Sequence, residues 1–301
     1  MLEFRAFTKR FGDKAAVEAL SLQAAPGDVV ALLGPNGSGK TTTIKAAAGL
    51  IRPTSGQALI GQPLRPAGEA AARRVCAFLP QRLAFPSALS GREVMTFYCR
   101  LRGAAEAEVD EALRMASLNG SSGRPVGTYS GGMVQRLGLA IALAGGARLL
   151  LLDEPTAALD QEGLCTFYGL IERRRDAGQT VLFSSHQMGD VERLADRFAV
   201  LVAGRLVATF TARELTALLA DRGVMKVALA RHVPGLVDRV RELAPRALVA
   251  LDQIIVPGPA AGRPRVLDAI RAAGGDIVGL TAEEGRLDGL YRELVAGGHA
   301  S

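Results

Sequence analysis

The sequence predicts an α/β fold in which a largely parallel sheet carries an inserted helical subdomain and is followed by a small α+β unit. Three observations carry this expectation. Strand-length apolar runs alternate with helical patterns over the first two-thirds of the chain, the signature of strand–helix–strand crossovers. Two of those runs, DVVALLG at 28–34 and RLLLLDEP at 148–155, do not alternate apolar with polar residues, so both faces of each strand are expected to be buried. From about Gly223 the texture changes to short β-type runs around two helical stretches.

In chain order, the first buried strand is 28–34, the second 148–155, and TVLFSSH at 180–186 is a third. Each ends at polar residues, and ligands gather at the carboxyl ends of strands in open parallel sheets. Between Gln81 and Arg148 the pattern becomes helical. Ser90 followed by Glu93 has the capping-box spacing and opens a helix through about Arg102. A second helical pattern runs from Ala105 to Ala116. A Gly/Ser/Pro-rich stretch, NGSSGRPVGTYSGG, then precedes a third helix from about Met133. Residues 86–147 are therefore expected to form a helical subdomain inserted between two strands.

Beyond 223, VMKVALA, a helix near 236–243, ALVAL, QIIVP, a helix near 265–273 and DIVGL give the order β-α-β-β-α-β. That order matches a ferredoxin-like unit, closed by a last helix over 286–295. The expected domains are 1–222 and 223–301, with no internal repeat.

Composition narrows the classes. Hydrophobic residues make up 49% and charged residues 22% of 301, as in a globular rather than a disordered chain. The formal charge of +6 is carried mostly by arginine, but the longest basic run is Arg173–Arg175, so composition without a patch is the plainer reading. Cys76, Cys99 and Cys165 form no CxxC pair, which points to a reducing, cytoplasmic compartment. With three histidines a His/Cys metal cluster is poorly supported, and His232 and His299 are expected at the surface. The segment 1–14 lacks the apolar core of a signal peptide. The longest apolar candidate, 137–152, is broken by Arg148 and falls short of the ~18 uninterrupted residues of a spanning helix. Any membrane crossing would fall to another chain.

The most specific motif is Gly34-Pro35-Asn36-Gly37-Ser38-Gly39-Lys40-Thr41, with Thr42 next to it, which fits the phosphate loop G-x-x-x-x-G-K-[ST]. Its glycines let backbone N–H groups turn inward as an anion nest, and the helix that follows adds its positive end. Lys40 would reach the β- and γ-phosphates, and the Thr41 hydroxyl would hold Mg²⁺. Asp153 ends an apolar strand, where it sets a carboxylate beside the metal; Glu154 adds a second acid suited to activating water.

With these residues in hand, the chain resembles the ATP-binding subunits of ABC transporters over about 1–220. YSGGMVQR, 129–136, is similar to the ABC signature and precedes LLLLDEP as in that family. The resemblance implies a P-loop NTPase (RecA-like) core that uses ATP and Mg²⁺. It makes Gln81 in FLPQ the Q-loop residue near the metal, Asp160 ending AALD the D-loop residue, and His186 the switch histidine at the γ-phosphate. Phe11 falls where the family stacks an aromatic on adenine, the alternative being a plain core phenylalanine. Lys40, Gln81, Glu154 and His186 are the implied catalytic set. Ser130, Gly131 and Gly132 open a helix and would form a second anion cradle, which the family uses in trans within a head-to-tail homodimer. A transmembrane permease on a separate chain, bound at the inner face of the cell membrane, is the implied partner, and no nucleic acid is expected. A soluble ABC protein of translation or DNA repair is the rival, usually marked by two cassettes or a long coiled-coil insertion.

Tyr129 and Met133 depart from the commoner Leu and Gln, giving a YSGGM spelling frequent in ABC-2-type exporter ATPases; an importer motor is the alternative. SALSGREVMTFYCRLRG and TAEEGRLDGLYRELVAG resemble segments of drug-, sodium- and copper-linked export ATPases. The FLP, AFP and LSGRE spellings come nearest to the NosF type, which serves maturation of the copper centres of nitrous oxide reductase.

Overall fold

The computed structural model describes residues 1–186, 188–231, 233–250, 252–283 and 287–298. His232 and His299 lie outside the described residues. The chain divides into two compact units, Met1–Thr209 with the segment from Leu294, and Phe210–Glu293.

The first unit opens with β1 (Leu2–Phe11), β2 (Lys14–Ala24), β3 (Val29–Leu33) and α1 (Lys40–Ala47). β4 (Ser55–Ile60), β5 (Arg65–Pro66), α2 (Ala70–Arg73) and β6 (Cys76–Leu79) follow. Three helices, α3 (Gly91–Arg102), α4 (Ala107–Met115) and α5 (Gly131–Leu143), lead to β7 (Leu149–Asp153). Next come α6 (Gln161–Asp176), β8 (Thr180–Ser184), α7 (Met188–Leu194), β9 (Arg197–Val202) and β10 (Arg205–Thr211).

The three predicted strands β3, β7 and β8 are buried at every residue. They belong to a six-stranded sheet of order β10-β9-β3-β8-β7-β6. β8 pairs in parallel with β3 on one side and β7 on the other, so the carboxyl ends at Leu33, Asp153 and Ser184 are neighbours. This is the RecA-like parallel core, and it fixes where a ligand can meet several strand ends at once. Among the described residues no helix is long and apolar enough to cross a membrane.

A second sheet, antiparallel β2-β1-β4-β5, was not foreseen. Its strands hide from a period-two search because they are bulged. In β1 the buried residues are Leu2, Phe4 and then Phe7, with Ala6 at φ 43° between them. In β2 the same step separates Val17 from Leu20 across Ala19 at φ 48°. One extra residue flips the facing of everything after it. Both sheets share one apolar core with α1, in which Phe4, Phe7, Leu32, Ile44 and Leu151 are buried.

The helical subdomain has its own core of Val94, Met95, Cys99, Leu113, Leu137 and Ile141. The Ser90 hydroxyl accepts from the Glu93 N–H at 3.2 Å, and Glu93 Oε2 accepts from the Ser90 N–H at 2.7 Å, the reciprocal pair that the spacing predicts. Ser90→Ala is expected to lower folding stability by about 1 kcal/mol, read as an earlier denaturant midpoint at unchanged slope. α5 begins at Gly131 rather than near Met133, because Ser130 caps it by accepting from the Met133 N–H at 3.2 Å.

The second unit carries α8 (Ala212–Ala220), β11 (Val224–Leu229), α9 (Leu236–Leu243), β12 (Leu248–Ala250) and β13 (Gln253–Pro257). α10 (Arg263–Ala272) and β14 (Ile277–Glu283) complete it, and α11 (Leu287–Gly298) begins within it. Its sheet, β12-β13-β11-β14, is antiparallel throughout, the ferredoxin-like arrangement that the element order predicts. Met225, Val227, Val240, Ile254, Val266 and Ile270 form its core.

Candidate nucleotide site

The phosphate loop leaves the end of β3 and turns into α1. Gly39, at the N-cap of α1, has φ 104°, and a Cβ there would lie 2.6 Å from the Ala16 carbonyl oxygen, so only glycine fits. Gly34, Pro35 and Ser38 make the base of the loop. Lys40 is buried, and its Nζ donates to the carbonyls of Gly34 at 2.7 Å and Pro35 at 3.2 Å. Burial pushes the pKa of this ammonium down, and the charges of Glu154 and Asp153 partly oppose that shift.

The two acids stand at the end of β7. Thr41 Oγ1 donates to Asp153 Oδ1 at 3.1 Å, and Ser184 Oγ donates to the same oxygen at 2.8 Å. Asp153 Oδ2 is buried without a hydrogen-bond partner among the described residues. An orphaned buried acceptor costs about 1–3 kcal/mol, and a hard cation would satisfy it. A threonine hydroxyl and a carboxylate form the oxygen set that Mg²⁺ prefers, so the residues present fit that ion.

Glu154 is held in an uncommon backbone state, φ 50°, worth of order 1–3 kcal/mol of strain for a residue other than glycine. Its N–H donates to Ser184 Oγ at 2.9 Å. Its side chain is 10% exposed, and Oε2 lies 3.2 Å from Nδ1 of His186, whose side chain is 55% exposed. The two side chains come from the ends of the adjacent strands β7 and β8. A nearly buried carboxylate touching an accessible imidazole can orient a water and pass on its proton.

Of these groups Lys40, Thr41 and Glu154 line a cleft of about 470 Å³, whereas Asp153 and His186 do not. Phe11, Asn36, Gly37, Gly39, Lys40 and Thr41 line it, as do Thr42, Gln81 and Glu154. Phe11 is 55% exposed, which removes the core alternative; Lys9 Nζ sits 5.0 Å from its ring centre. Lys14 and Ala16 also line the cleft and were missed. The signal was available. Phe11 and Lys14 are directly opposite in the β1–β2 register, and FGDK reads as a tight hairpin that sets them side by side on one face.

Ser130, Gly131, Gly132 and Asp160 do not line this cleft. Ser130 is an exposed helix cap. A Cβ on Gly132 would sit 3.0 Å from the Ala158 carbonyl oxygen, so the signature turn packs closely on the loop after Glu154. The buried Gln135 of α5 strengthens that attachment, its Nε2 donating to the Pro155 carbonyl at 2.9 Å. Asp160 caps α6, accepting from the Gly163 N–H at 2.8 Å.

Comparison with known proteins agrees with this geometry. Residues 17–157 match the family model described as ABC transporter. Nod factor export ATP-binding protein I of Burkholderia lata is 38% identical over 212 residues, spanning 69% of this chain and 69% of that protein. Zinc import ATP-binding protein ZnuC of Roseobacter denitrificans is 39% identical over 193 residues, spanning 64% of this chain and 71% of that protein. A dimeric structure of a bacterial ABC transporter cassette superposes with TM-score 0.64 at 26% identity, covering 71% of this chain and 99% of that one. The parallel core with its inserted helices is the ABC ATPase fold. The phosphate loop at the end of β3, the two acids at the end of β7 and the signature turn packed on the loop after them, on a chain so related, lead to one assignment: the protein belongs to the ATP-binding subunits of the ABC transporter family.

Proposed function

We propose that this chain hydrolyses MgATP and that ATP-driven closure of a head-to-tail homodimer moves a separate membrane-spanning permease, in the export direction. The observation that carries the reading is the contact of 3.2 Å between His186 and Glu154, the latter lining the same cleft as Lys40 and Thr41. The loop N–H groups and Lys40 bind the phosphates, and Phe11 offers its exposed ring to the base. Thr41 and Asp153, with Gln81, would hold Mg²⁺, which when bound draws charge from the phosphate oxygens. Glu154 takes the proton of the attacking water, and His186 orients Glu154 and reaches toward the γ-phosphate.

Ser130 and the first turn of α5 offer a second anion cradle outside the cleft of their own chain, so a second copy is needed to supply it. The dimeric relative supports that pairing. The purified protein is expected to hydrolyse MgATP with a rate that rises more steeply than linearly with protein concentration. Failure to bind MgATP, or pairing that ignores nucleotide, would end this reading.

The permease surface we assign is the outer face of α3. Phe97 and Leu101 are 58% and 70% exposed, one helical turn apart, and Arg92 and Arg100 flank them. Large apolar side chains grouped in this way mark docking surfaces. Phe97→Asp combined with Leu101→Asp is expected to leave MgATP binding by the isolated chain unchanged and to abolish recovery of the permease in a pull-down. Undiminished recovery would move the docking surface elsewhere. Export rests on the YSGGM spelling. The copper-maturation reading rests on the spellings around 78–93, and a neighbouring periplasmic copper-chaperone gene would favour it over a generic exporter.

A further inference from the structure

Asp190 on α7 is 2% exposed, a buried carboxylate with no part in the reaction as described. Among the described residues its partners are hydroxyls. Asp190 Oδ2 accepts from Thr156 Oγ1 at 2.5 Å and from Ser185 Oγ at 3.1 Å, and Oδ1 accepts from Tyr168 Oη at 2.6 Å. Removing a carboxylate from water is expensive, and short charge-assisted O–H···O bonds are what offset that expense. Tyr168 is a dependable donor here, since burial and the Asp190 contact push its pKa up to about 12. The guanidinium of Arg193 lies over the Tyr168 ring, 4.8 Å from its centre, and also approaches Glu172 at 3.7 Å.

The three donors come from informative places. Thr156 is two residues beyond Glu154, on the loop leaving β7. Ser185 immediately precedes His186, on the loop leaving β8. Tyr168 lies on α6, the helix that Asp160 caps. One carboxylate oxygen therefore joins the loop that carries Glu154 to the loop that carries His186.

We infer that Asp190 is a positioning residue for hydrolysis: it clamps Thr156 to Ser185 so that Glu154 and His186 are held in contact. The inference rests on the reading that this pair activates the attacking water. The backbone of Glu154 gives the clamp a reason to exist. A residue with φ 50° keeps that conformation only where its surroundings over-determine it. Ser184 holds the N–H of Glu154 on one side, and the Thr156–Asp190 bond holds the chain on the other. Releasing that side lets the peptide relax and the carboxylate swing away from His186. Displacement of a reacting group by about 1 Å can cost ~10²-fold in rate.

The test compares Asp190→Asn, Thr156→Val and Thr156→Ser with the parent chain. The expected result is a fall in kcat of ~10–100-fold for Asp190→Asn and Thr156→Val, with KM for ATP and equilibrium MgATP affinity unchanged. Thr156→Ser, which keeps the hydroxyl, is expected to restore most of the parental kcat. Thr156→Val is nearly isosteric, so it remains informative if Asp190→Asn folds poorly. A second readout needs no turnover. The ring Cε1–H resonance of His186 is expected to move in Asp190→Asn and Thr156→Val in the same direction as in Glu154→Gln. Parental kcat in the first two variants, failure of Thr156→Ser to rescue, or a stationary His186 resonance would each overturn the clamp. If the parent itself fails to hydrolyse MgATP while the His186 resonance still moves, the hydrolysis reading fails and the clamp stands.

Discussion

Glu154→Gln is expected to bind MgATP as the parent does and to lose hydrolysis by ~10²–10⁴-fold. The substitution removes a charge and keeps the shape. The amide fills the same nearly buried position, and the N–H bond to Ser184 Oγ at 2.9 Å involves only backbone. Binding is protected because Glu154 contributes negative charge near Lys40, and removing it leaves the cleft more welcoming to a triphosphate. What disappears is the acceptor for the proton of water. A closed dimer that cannot hydrolyse its ATP should persist, so size-exclusion chromatography is expected to show a dimer with ATP and a monomer with ADP. Single-turnover hydrolysis at the parental rate would remove Glu154 from the role of base.

Ser130→Arg is the second large effect. An arginine at the exposed cap forfeits the hydrogen bond to the Met133 N–H, worth about 1 kcal/mol of stability, while α5 stays anchored by buried residues such as Leu137 and Leu139. Nucleotide binding by the monomer is expected to survive, since Ser130 is no part of its own cleft. Turnover is expected to vanish. Lys40→Ala is expected to be equally dead for a different reason, losing the buried ammonium of the phosphate loop. In a head-to-tail pair, mixing the two variants rebuilds one site from the sound lysine of one copy and the sound serine of the other. Random pairing then predicts roughly a quarter of parental turnover in an equal mixture. A mixture that stays inactive at every ratio argues against sites shared between copies.

The core of the fold was readable because its strands are buried on both faces. VVALL, LLLLD and TVLFS admit no reading as surface strands, and the motifs at their ends follow. The ferredoxin-like unit was readable for a different reason. Alternation in β11, with Met225, Val227 and Leu229 buried, survives because its strand pairs without a bulge until Ala228. The antiparallel sheet was not readable, and its bulges at Ala6 and Ala19 explain why: a pattern with one inserted residue matches neither a strand nor a helix. Lys14 was readable only through the FGDK turn, since its place in the cleft depends on the β1–β2 hairpin. Within the candidate site, spacing and motif singled out Lys40, Asp153 and Glu154, whereas the Asp190 cluster was invisible. Three hydroxyls and an acid scattered over 156–190 converge only after α6, β8 and α7 have packed.

The peptide at position 154 shows what the proposed chemistry asks of the chain. Glycine would rest in that left-handed state without steric penalty, whereas a side chain there carries local strain. A carboxylate stands there against that local preference, so the corner proposed to activate water shares with the bulges at Ala6 and Ala19 a backbone state that favours glycine. Endurance to heat and reactivity toward water thus pull in opposite directions at a single α-carbon.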